Sequence, residues 1–187
     1  MEDKRWMKML QCDDTALILI DVQEKLVRVM HEKELLVTHL CQLVNGALTL
    51  SIPILWFEQN PAGLGATIPE LSERLNGQTP IIKQSFSCCA HPGVWPQIEQ
   101  LRRRQFLIAG IEAHVCVYQT GIELLQRGYD VQIVSDAVSS RSSENKQIGL
   151  TRIQQAGGGI TSVEMALFEL LKVAEGQRFK DILRIIK

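Results

Sequence analysis

Short apolar runs that alternate with helical patterns constrain this chain most strongly. The first run, Ala16–Ile20, is unbroken by polar residues and too short for a helix, which is typical of a strand buried on both faces of a sheet. Five further runs follow, each separated from the last by a helical or turn segment. The predicted strands are Ala16–Ile20, Ile54–Phe57, Pro80–Ile82, Phe106–Ala109, Val131–Val134 and Ile160–Val163.

The segments between the strands carry the periodicity and the end signals of helices. Ser51–Pro53 stops the first long helix, and Gly128 ends another in the manner of a C′ glycine. Strands joined by helices favour a parallel sheet with right-handed crossovers. We therefore predict an α/β fold, a three-layer α/β/α domain spanning residues 1–187, with a six-stranded parallel sheet in the Rossmann-like order 3-2-1-4-5-6. The predicted helices are Glu34–Leu48, Pro69–Leu75, Val94–Leu101, Val115–Arg127, Met165–Ala174 and Phe179–Ile186, together with a helix that is capped within Ser142–Glu144 and ends at Gln155.

Composition and charge exclude several classes of function. The chain has 187 residues, 45% apolar and 22% charged, with a formal net charge of −1. The cluster Arg102–Arg104 follows a predicted helix and has no interleaved aromatic residue, so a solvated helix end is favoured over a nucleic-acid patch. No apolar run has the length of a membrane span. We expect neither nucleic acid nor a membrane as partner, but a small-molecule substrate.

The cysteines predict a reducing compartment. They are odd in number, form no CxxC motif, and do not cluster with histidine. The N-terminal segment also lacks an apolar core of signal-peptide length. We therefore expect a cytoplasmic protein whose thiols are mostly small buried side chains. The five cysteines are Cys12, Cys41, Cys88, Cys89 and Cys116.

Three chemically useful side chains follow predicted strands. Asp21 ends the first strand, Lys83 ends the third, and Cys116 lies where the turn after the fourth becomes a helix. Carboxyl ends of parallel strands form the ligand-binding edge of such sheets, and strands 1 and 4 are neighbours at the switch point. Lys83 follows a more distant strand, so it needs its long stem to reach the other two. An acid, an amine and a thiol at one edge can form a thiolate nucleophile.

The position of Cys116 suggests an activated thiol. Backbone amides and the positive end of a helix dipole lower the pKa of a thiol near a helix start. The same amides can bind an oxyanion. On position alone, a buried structural cysteine is an equally good interpretation of Cys116. Capping of the next turn is the structural alternative for Asp21, and a solvated side chain is the more common interpretation of a lysine such as Lys83.

Four motifs together resemble one known family. They are ALILIDVQ at residues 16–23, KQSFS at 83–87, GIEAHVCV at 110–117 and SDAVSSR at 135–141. In this order and spacing the chain resembles the isochorismatase-like cysteine hydrolases, which include nicotinamidases and N-carbamoylsarcosine amidases. The resemblance runs from Ala16 to about Val163 and implies a hydrolase of small amides or related carbonyl compounds.

The resemblance also implies a role for each matched residue. Asp21 would be the general base that takes the proton of Cys116, and Lys83 would orient Asp21. Cys116 would attack a carbonyl carbon to give a thioester that water hydrolyses. The amides of Glu112 and Cys116 would form the oxyanion hole, beside a cis peptide between Ile111 and Glu112.

Two departures from relatives narrow the expected chemistry. Nicotinamidases carry an Asp-x-His metal motif after the second strand, whereas Trp56–Asn60 contains no histidine. We therefore predict no metal and no cofactor. Relatives that hydrolyse the vinyl ether of isochorismate can lack the cysteine, so its presence favours amide-type hydrolysis. Surface or loop roles are expected for the four scattered histidines, which are His31, His39, His91 and His114.

Pocket walls are the least constrained part of the site. Four side chains near the matched motifs are candidates for the substrate pocket, although each is equally compatible with the core or the rim. Pairing of His114 with Cys116 is not expected, because side chains two residues apart on a helix diverge. The four pocket candidates are Gln23, Phe57, Phe86 and Tyr118.

Two other functions remain as alternatives, and the C-terminal segment predicts an assembly. A non-catalytic relative would have no reason to keep Asp21, Lys83 and Cys116 together. A redox sensor would need a resolving thiol from Cys88–Cys89, whose loop would have to cross the site. The tail Phe179–Ile186 is apolar over more than one helical stripe, which predicts burial by a partner in a homo-oligomer, a dimer or tetramer, or else packing on its own domain.

Overall fold

The computed structural model of the protein describes residues 8–187 and confirms the predicted sheet. Its six strands are all parallel and lie in the order β3-β2-β1-β4-β5-β6. The polypeptide therefore reverses its direction of winding between β1 and β4, where open sheets of this type bind ligands. The strands are β1 Thr15–Ile20, β2 Ile54–Gln59, β3 Ile81–Lys83, β4 Gln105–Ile111, β5 Asp130–Ser139 and β6 Gly159–Thr161.

Helices connect the strands on both faces of the sheet. Two shorter turns supplement them: a 3-10 turn at Cys88–Ala90 and a π-helical turn at Ala113–Val117. Neither these turns nor the short helices Glu24–Val27 and Pro61–Leu64 were predicted. The helices are α1 Glu24–Val27, α2 Lys33–Thr49, α3 Pro61–Leu64, α4 Pro69–Ser72, α5 Val94–Leu101, α6 Tyr118–Gln126, α7 Ser143–Gln155, α8 Val163–Leu171 and α9 Gly176–Ile186.

The sheet separates two apolar cores. Successive residues of a strand point to opposite faces, so Leu17 and Leu19 belong to one core while Ile18 and Ile20 belong to the other. The first core lies under α2, α8 and α9, and the second lies under α5, α6 and α7. Burial on both faces explains why β1 is apolar throughout, and it makes the described chain a three-layer α/β/α sandwich.

The boundary between β6 and α8 differs from the prediction. Ile160–Val163 was predicted as a strand, but β6 ends at Thr161 and Val163 already lies in α8. The side chain of Ser162 accepts a hydrogen bond from the amide of Met165, which begins the helix there. An apolar residue in the first turn of a helix thus extended the predicted strand too far.

The C-terminal helix packs on its own subunit. Ile182 of α9 is fully buried, and Ile185 and Ile186 pack against the same core as α2 and α8. The side chain of Gln42 on α2 also donates a hydrogen bond to the carbonyl oxygen of Ile186. The helix thus packs on its own domain through Ile182, while Phe179 and Leu183 stay partly exposed. Burial of the rest of this stripe by a partner subunit stays a prediction.

Candidate functional site

A buried ion pair lies at the carboxyl edge of the sheet. Lys83 Nζ lies 2.6 Å from Asp21 Oδ2, and both side chains have 0% exposure. Asp21 follows β1 directly, and Lys83 is the last residue of β3. The structure thus brings together two of the three side chains chosen from the sequence, across the intervening strand β2.

The close approach of β1 and β4 sets the position of Asp21. Gly110 of β4 pairs with Ile20, the residue before Asp21. Its φ is +115°, and an added Cβ would overlap the carbonyl oxygen of Ile20. The amide of Asp21 donates to the carbonyl oxygen of Phe57 on the other neighbouring strand. A glycine is therefore required for β1 and β4 to meet closely where Asp21 leaves the sheet.

The side chain of Lys83 forms its hydrogen bonds within the protein. Besides Asp21, its ammonium group donates to the carbonyl oxygens of Ser85 and Phe86, each at 3.1 Å. A fourth contact, to Gln59 Oε1, is longer at 3.5 Å. An ammonium has three N–H donors, so these partners satisfy it. The loop after β3 folds over the Lys83 head and removes it from solvent.

Cys116 lies in the π-helical turn that follows β4. The amide of Val117 donates to the carbonyl oxygen of Glu112, a bond that spans five residues. The peptide between Ile111 and Glu112 is cis, at the position that the resemblance implied. Glu112 therefore lies between the strand and the turn, with its backbone next to the thiol.

Helix α7 supports this turn from outside. A Cβ added to Gly149 of α7 would lie 2.6 Å from the carbonyl oxygen of Ala113. A side chain at this position would force apart the helix and the turn that carries Cys116. Gly149 thus permits a close backbone-to-backbone contact between α7 and the turn that contains Cys116.

The thiol of Cys116 is not acidified in the resting protein. Burial and the negative charge of Asp21 raise the pKa of Cys116 to about 12, and the charge of Lys83 only partly opposes this. A backbone hydrogen bond from Glu112 also lowers the pKa, but less. The expectation that the helix start would favour a thiolate was therefore wrong, because desolvation outweighs the local amides. Cys116 is a neutral thiol near pH 7.

Asp21 is the nearby acceptor for the Cys116 proton. Burial raises the pKa of Asp21, while the charge and hydrogen bond of Lys83 oppose the rise. Hydrogen bonding with the Cys116 thiol lowers this pKa further, so the two groups interact directly. Asp21 Oδ1 is buried without a partner at good hydrogen-bonding geometry. A carboxylate oxygen is thus available beside a thiol that must lose a proton.

Cys116 opens onto a small cavity, which we call the Cys116 cavity. Its volume is about 150 Å³. Most of its wall is apolar, and the polar atoms come from Gln59, Glu112 and the thiol itself. The cavity is lined by Leu26, Gln59, Leu64, Phe86, Ile111, Glu112, Val115 and Cys116.

Only Phe86 of the four predicted pocket residues lines this cavity. Phe57 is 0% exposed in the core beneath the sheet edge, because the alternation of β2 turns it inward. Gln23 is also fully buried, and its carboxamide bonds the backbone of Gln59 and Gly65. It stabilises the loop around the site.

Tyr118 is half-buried and does not line the Cys116 cavity. Its hydroxyl accepts a hydrogen bond from Arg152, whose guanidinium carbon also lies 5.5 Å from the ring centroid. Tyr118 begins α6, two residues after Cys116, so its side chain diverges from the thiol. The prediction that Tyr118 lines the pocket was therefore wrong.

Gln59 is the functional candidate that the sequence did not reveal. Its Oε1 lies 3.5 Å from both Cys116 Sγ and Lys83 Nζ. Gln59 and Lys83 are paired in the register of β2 and β3, which places them side by side. Only the strand order, combined with this register, could have indicated a glutamine that touches both groups.

Other side chains around the site have structural partners. Glu112 Oε2 accepts hydrogen bonds from the amide and Nε of Arg141 at the mouth of the cavity. His114 contacts Ser140 Oγ at 2.9 Å, not Cys116. Cys88 is fully buried, and burial raises its pKa well above the usual value, so it is poorly suited to resolve an oxidised thiol.

The described residues contain neither a cluster of metal ligands nor a membrane-spanning helix. No group of three or more His, Cys, Asp or Glu side chains within residues 8–187 is arranged to hold a metal ion. In the same range, no helix combines the length and apolarity needed to cross a bilayer.

Known proteins share this fold and sequence. Residues 15–165 match the Isochorismatase domain. The "Secreted isochorismatase effector Isc1" of Phytophthora sojae is 37% identical over 179 residues, covering 92% of this chain and 84% of that protein. The "MAR1 Ribonuclease" structure from Caenorhabditis elegans is 36% identical, with a TM-score of 0.89, covering 96% of this chain and 92% of that one.

A more distant structure shares the architecture alone. The YcaC gene product of Escherichia coli, described as an octameric hydrolase of unknown specificity, is 20% identical with a TM-score of 0.91. The match covers 95% of this chain and 89% of the YcaC chain. The domain match spans most of the sequence, and the Phytophthora relative shares more than a third of its residues. This chain therefore belongs to the isochorismatase family.

Proposed function

We propose that this protein is a cysteine hydrolase that cleaves a small amide or related carbonyl compound through a thioester on Cys116. The observation that carries the proposal is the fully buried Asp21–Lys83 pair beside a thiol that opens onto a cavity. A buried ion pair is costly to desolvate and adds little stability by itself. Its position next to a nucleophile gives it a chemical use.

The first half of the reaction forms the thioester. Asp21 takes the proton of Cys116 as the sulfur attacks the carbonyl carbon, which avoids a free thiolate in a site that disfavours one. The carbonyl oxygen becomes an oxyanion, which the backbone amides of Glu112 and Cys116 stabilise. Lys83 keeps Asp21 in place and balances its charge. The C–N bond then breaks, and Asp21 returns the proton to the departing amine.

The second half regenerates the thiol. A water molecule attacks the thioester carbonyl, and Asp21 takes one of its protons. The C–S bond breaks, a carboxylic acid leaves, and the sulfur recovers the proton from Asp21. The sum is hydrolysis of one amide bond by one water molecule, with no oxidant, metal or cofactor consumed. Asp21 acts twice as base and twice as acid, which requires a carboxylate held close to the sulfur.

A panel of small primary and secondary amides tests this proposal, with release of ammonia or amine as the readout. Wild-type protein should turn over at least one amide, and Cys116→Ala should lower its kcat by about 1,000-fold or more, because covalent catalysis is lost. Cys89→Ala is the matched control, since it removes another buried thiol with a pKa raised to about 12. It should keep kcat within about threefold, because Cys89 does not line the Cys116 cavity and its loss changes only packing.

Retained turnover in Cys116→Ala would overturn the assignment of the nucleophile. Absence of turnover by wild-type protein across the amides, together with binding of a ligand in the cavity, would favour the non-catalytic alternative. Thermal shifts for both variants must accompany the rates, so that a folding defect is not scored as a loss of chemistry.

The names of relatives suggest other substrates that the panel should include. The Caenorhabditis neighbour is called a ribonuclease. A cavity of about 150 Å³ with an apolar wall is small for a nucleotide, and its polar groups do not include an unpaired cation for phosphate. Single-stranded RNA belongs in the panel as a contrast, with no cleavage expected.

Assembly and location stay predictions. A cytoplasmic location is supported by five free thiols, although the Phytophthora relative is named as secreted. A homo-oligomer, a dimer or tetramer, is also predicted. An apolar cavity at the α8–α9 junction, with Val173 55% exposed, keeps some apolar surface outside the core. Sedimentation velocity at micromolar concentration measures the assembly directly.

A further inference from the structure

We infer that the Cys116 cavity selects uncharged substrates with a small apolar acyl group, and that Gln59 Nε2 donates a hydrogen bond that sets this specificity. The inference rests on the proposed function, because it concerns the substrate of the same nucleophile. Gln59 is then a specificity-determining residue. Its Nε2 faces the bound compound, while its Oε1 faces Lys83 and Cys116.

The neighbours of Gln59 fix the orientation of its carboxamide. Lys83 Nζ and the Cys116 thiol both lie 3.5 Å from one end of the amide. An ammonium can only donate, so the atom facing it must be the acceptor, Oε1. The opposite end, Nε2, is then directed away from Lys83 and Cys116.

The donor end of Gln59 has no internal acceptor. Its backbone amide is bonded to Gln23 Oε1, but Nε2 makes no hydrogen bond to any residue in the range 8–187. It is not among the buried unsatisfied side-chain atoms either, so it remains accessible. Because Gln59 lines the Cys116 cavity, a bound molecule can satisfy this donor. The two N–H groups of Gln59 Nε2 are thus available to the carbonyl oxygen of a bound compound.

Charges around the cavity oppose an anionic substrate. The Lys83 ammonium already pairs with Asp21 and two backbone carbonyls. The exposed guanidinium of Arg141 pairs with Glu112 at the mouth. A substrate carboxylate would therefore enter without an unpaired cation to receive it, and would approach two acidic side chains. Burial of an uncompensated charge is unfavourable.

The remaining wall favours a small apolar group. Leu26, Leu64, Phe86, Ile111 and Val115 contribute the rest of the lining. The cavity of about 150 Å³ is smaller than the roughly 300 Å³ at which pockets for drug-sized ligands begin. A compact acyl chain can displace water from these side chains, while the carbonyl group remains near Gln59 and the sulfur.

Competition among three alkylating reagents tests the inference without requiring turnover. Iodoacetamide is neutral and carries an amide acceptor, iodoacetate is anionic, and iodomethane has neither feature. In each reaction the Cys116 sulfur displaces iodide from a carbon, an S–C bond forms as the C–I bond breaks, and the thiol proton leaves through Asp21 to solvent. Mass mapping of the Cys116 peptide excludes labelling of other thiols, and free cysteine provides the reference rates.

Wild-type protein should prefer iodoacetamide over iodoacetate by about tenfold or more beyond the preference of free cysteine, because the anion loses solvation. Gln59→Met keeps the volume but removes the donor, so the iodoacetamide-to-iodomethane ratio should fall about three- to tenfold. Normalising to iodomethane removes any general change in the reactivity of the thiol. Gln97→Met, on the exposed face of α5, is the matched control and should leave every ratio unchanged.

Three outcomes would overturn the inference. They are equal or greater selectivity for iodoacetate, an unchanged iodoacetamide-to-iodomethane ratio in Gln59→Met, or failure of all three reagents to reach Cys116 in the folded protein. Its failure is distinct from failure of the proposed function. Hydrolysis of anionic amides through Cys116 would preserve the hydrolase and reject this selectivity, whereas selective alkylation without hydrolysis would do the reverse.

Discussion

The Cys116 turn and the Cys88–Cys89 turn contain thiols with similar acidity and different surroundings. Burial raises the pKa of Cys116 and of Cys89 alike to about 12. Both side chains are nearly inaccessible, at 6% and 2% exposure. A lowered thiol pKa, the property usually sought in a reactive cysteine, therefore does not distinguish these two turns.

Proton acceptors and access distinguish them. Cys116 interacts with Asp21 and lines a cavity, whereas Cys89 lies in a 3-10 turn that Ser87 caps through its hydroxyl. The amide of Cys88 is held by Thr120 Oγ1 at 3.0 Å. With burial equal, a nearby base and space for a substrate are therefore what favour Cys116 over Cys89 as the proposed nucleophile.

The largest expected effect comes from removing the buried cation that pairs with Asp21 beside Cys116. Lys83→Met leaves Asp21 buried without its partner, which should lower the free energy of unfolding by about 3–5 kcal/mol. Turnover should be lost in the fraction that stays folded, because Asp21 becomes protonated and cannot take the thiol proton. Urea unfolding followed by circular dichroism measures the stability.

Lys25→Met is the control for that change. Its ammonium donates to the carbonyl oxygen of Gly63 on the exposed surface. The expected change is within about 0.5 kcal/mol, as for most surface substitutions. Equal unfolding midpoints for the two variants would contradict the importance of the Lys83–Asp21 pair.

Alkylation rates compare the two turns directly. Iodoacetamide should label Cys116 at least about 100-fold faster than Cys89 at pH 8, because Cys116 interacts with Asp21 and lines a cavity. The rate at Cys116 should continue to rise through pH 10, since the pKa of its thiol is raised to about 12. Peptide mapping of the labelled sites provides both rates. A plateau near pH 9, as for an ordinary thiol, would show that burial does not control this group.

A substitution in the other turn should affect stability and spare the chemistry. Thr120→Val removes the acceptor of the buried Cys88 amide, which should cost about 1–3 kcal/mol in the free energy of unfolding. The kcat/KM of the folded variant should stay within about threefold of wild type. A loss of activity as large as that of Cys116→Ala would mean that the Cys88–Cys89 turn also contributes to the site.

The pH dependence should show the smallest displacement. Burial raises the pKa of Asp21 above its ordinary value of 3.8. Protonated Asp21 cannot accept the thiol proton, so kcat/KM falls as the pH drops through this raised pKa and is retained above it. The acid limb of the profile should therefore have its midpoint above 3.8. A midpoint below that value would require an aspartate stabilised in its charged form.

The fold was predictable because burial on both faces of a sheet leaves a simple pattern. Unbroken apolar runs such as Ile54–Phe57 marked the strands, and the connecting helices implied the parallel order. Short helices α1 and α3 were missed because four residues are too few for a periodic pattern. The end of β6 was misplaced because Ser162, a helix cap, was included in the apolar run.

The site was predictable only in part, for a different reason. Strand order alone brings Asp21 and the Cys116 turn together, since β1 and β4 are neighbours. Lys83 needed the family resemblance, because its role depends on a loop that folds over its head. The contribution of Gln59 depends on the register of β2 and β3, which single-sequence patterns do not specify. Phe57 was misassigned because its position near a strand end gave no information about its facing.

Trapping the acyl enzyme shows whether Cys116 forms a thioester during turnover. Wild-type protein turning over its best amide is quenched in acid within the first catalytic cycles and then digested for peptide mass mapping. A thioester on Cys116 would add the mass of the acyl group to the peptide that contains Cys116. We expect this increase to be absent from Cys116→Ala and to be removed by hydroxylamine. Steady turnover with no adduct, or an adduct confined to Cys88 or Cys89, would contradict it.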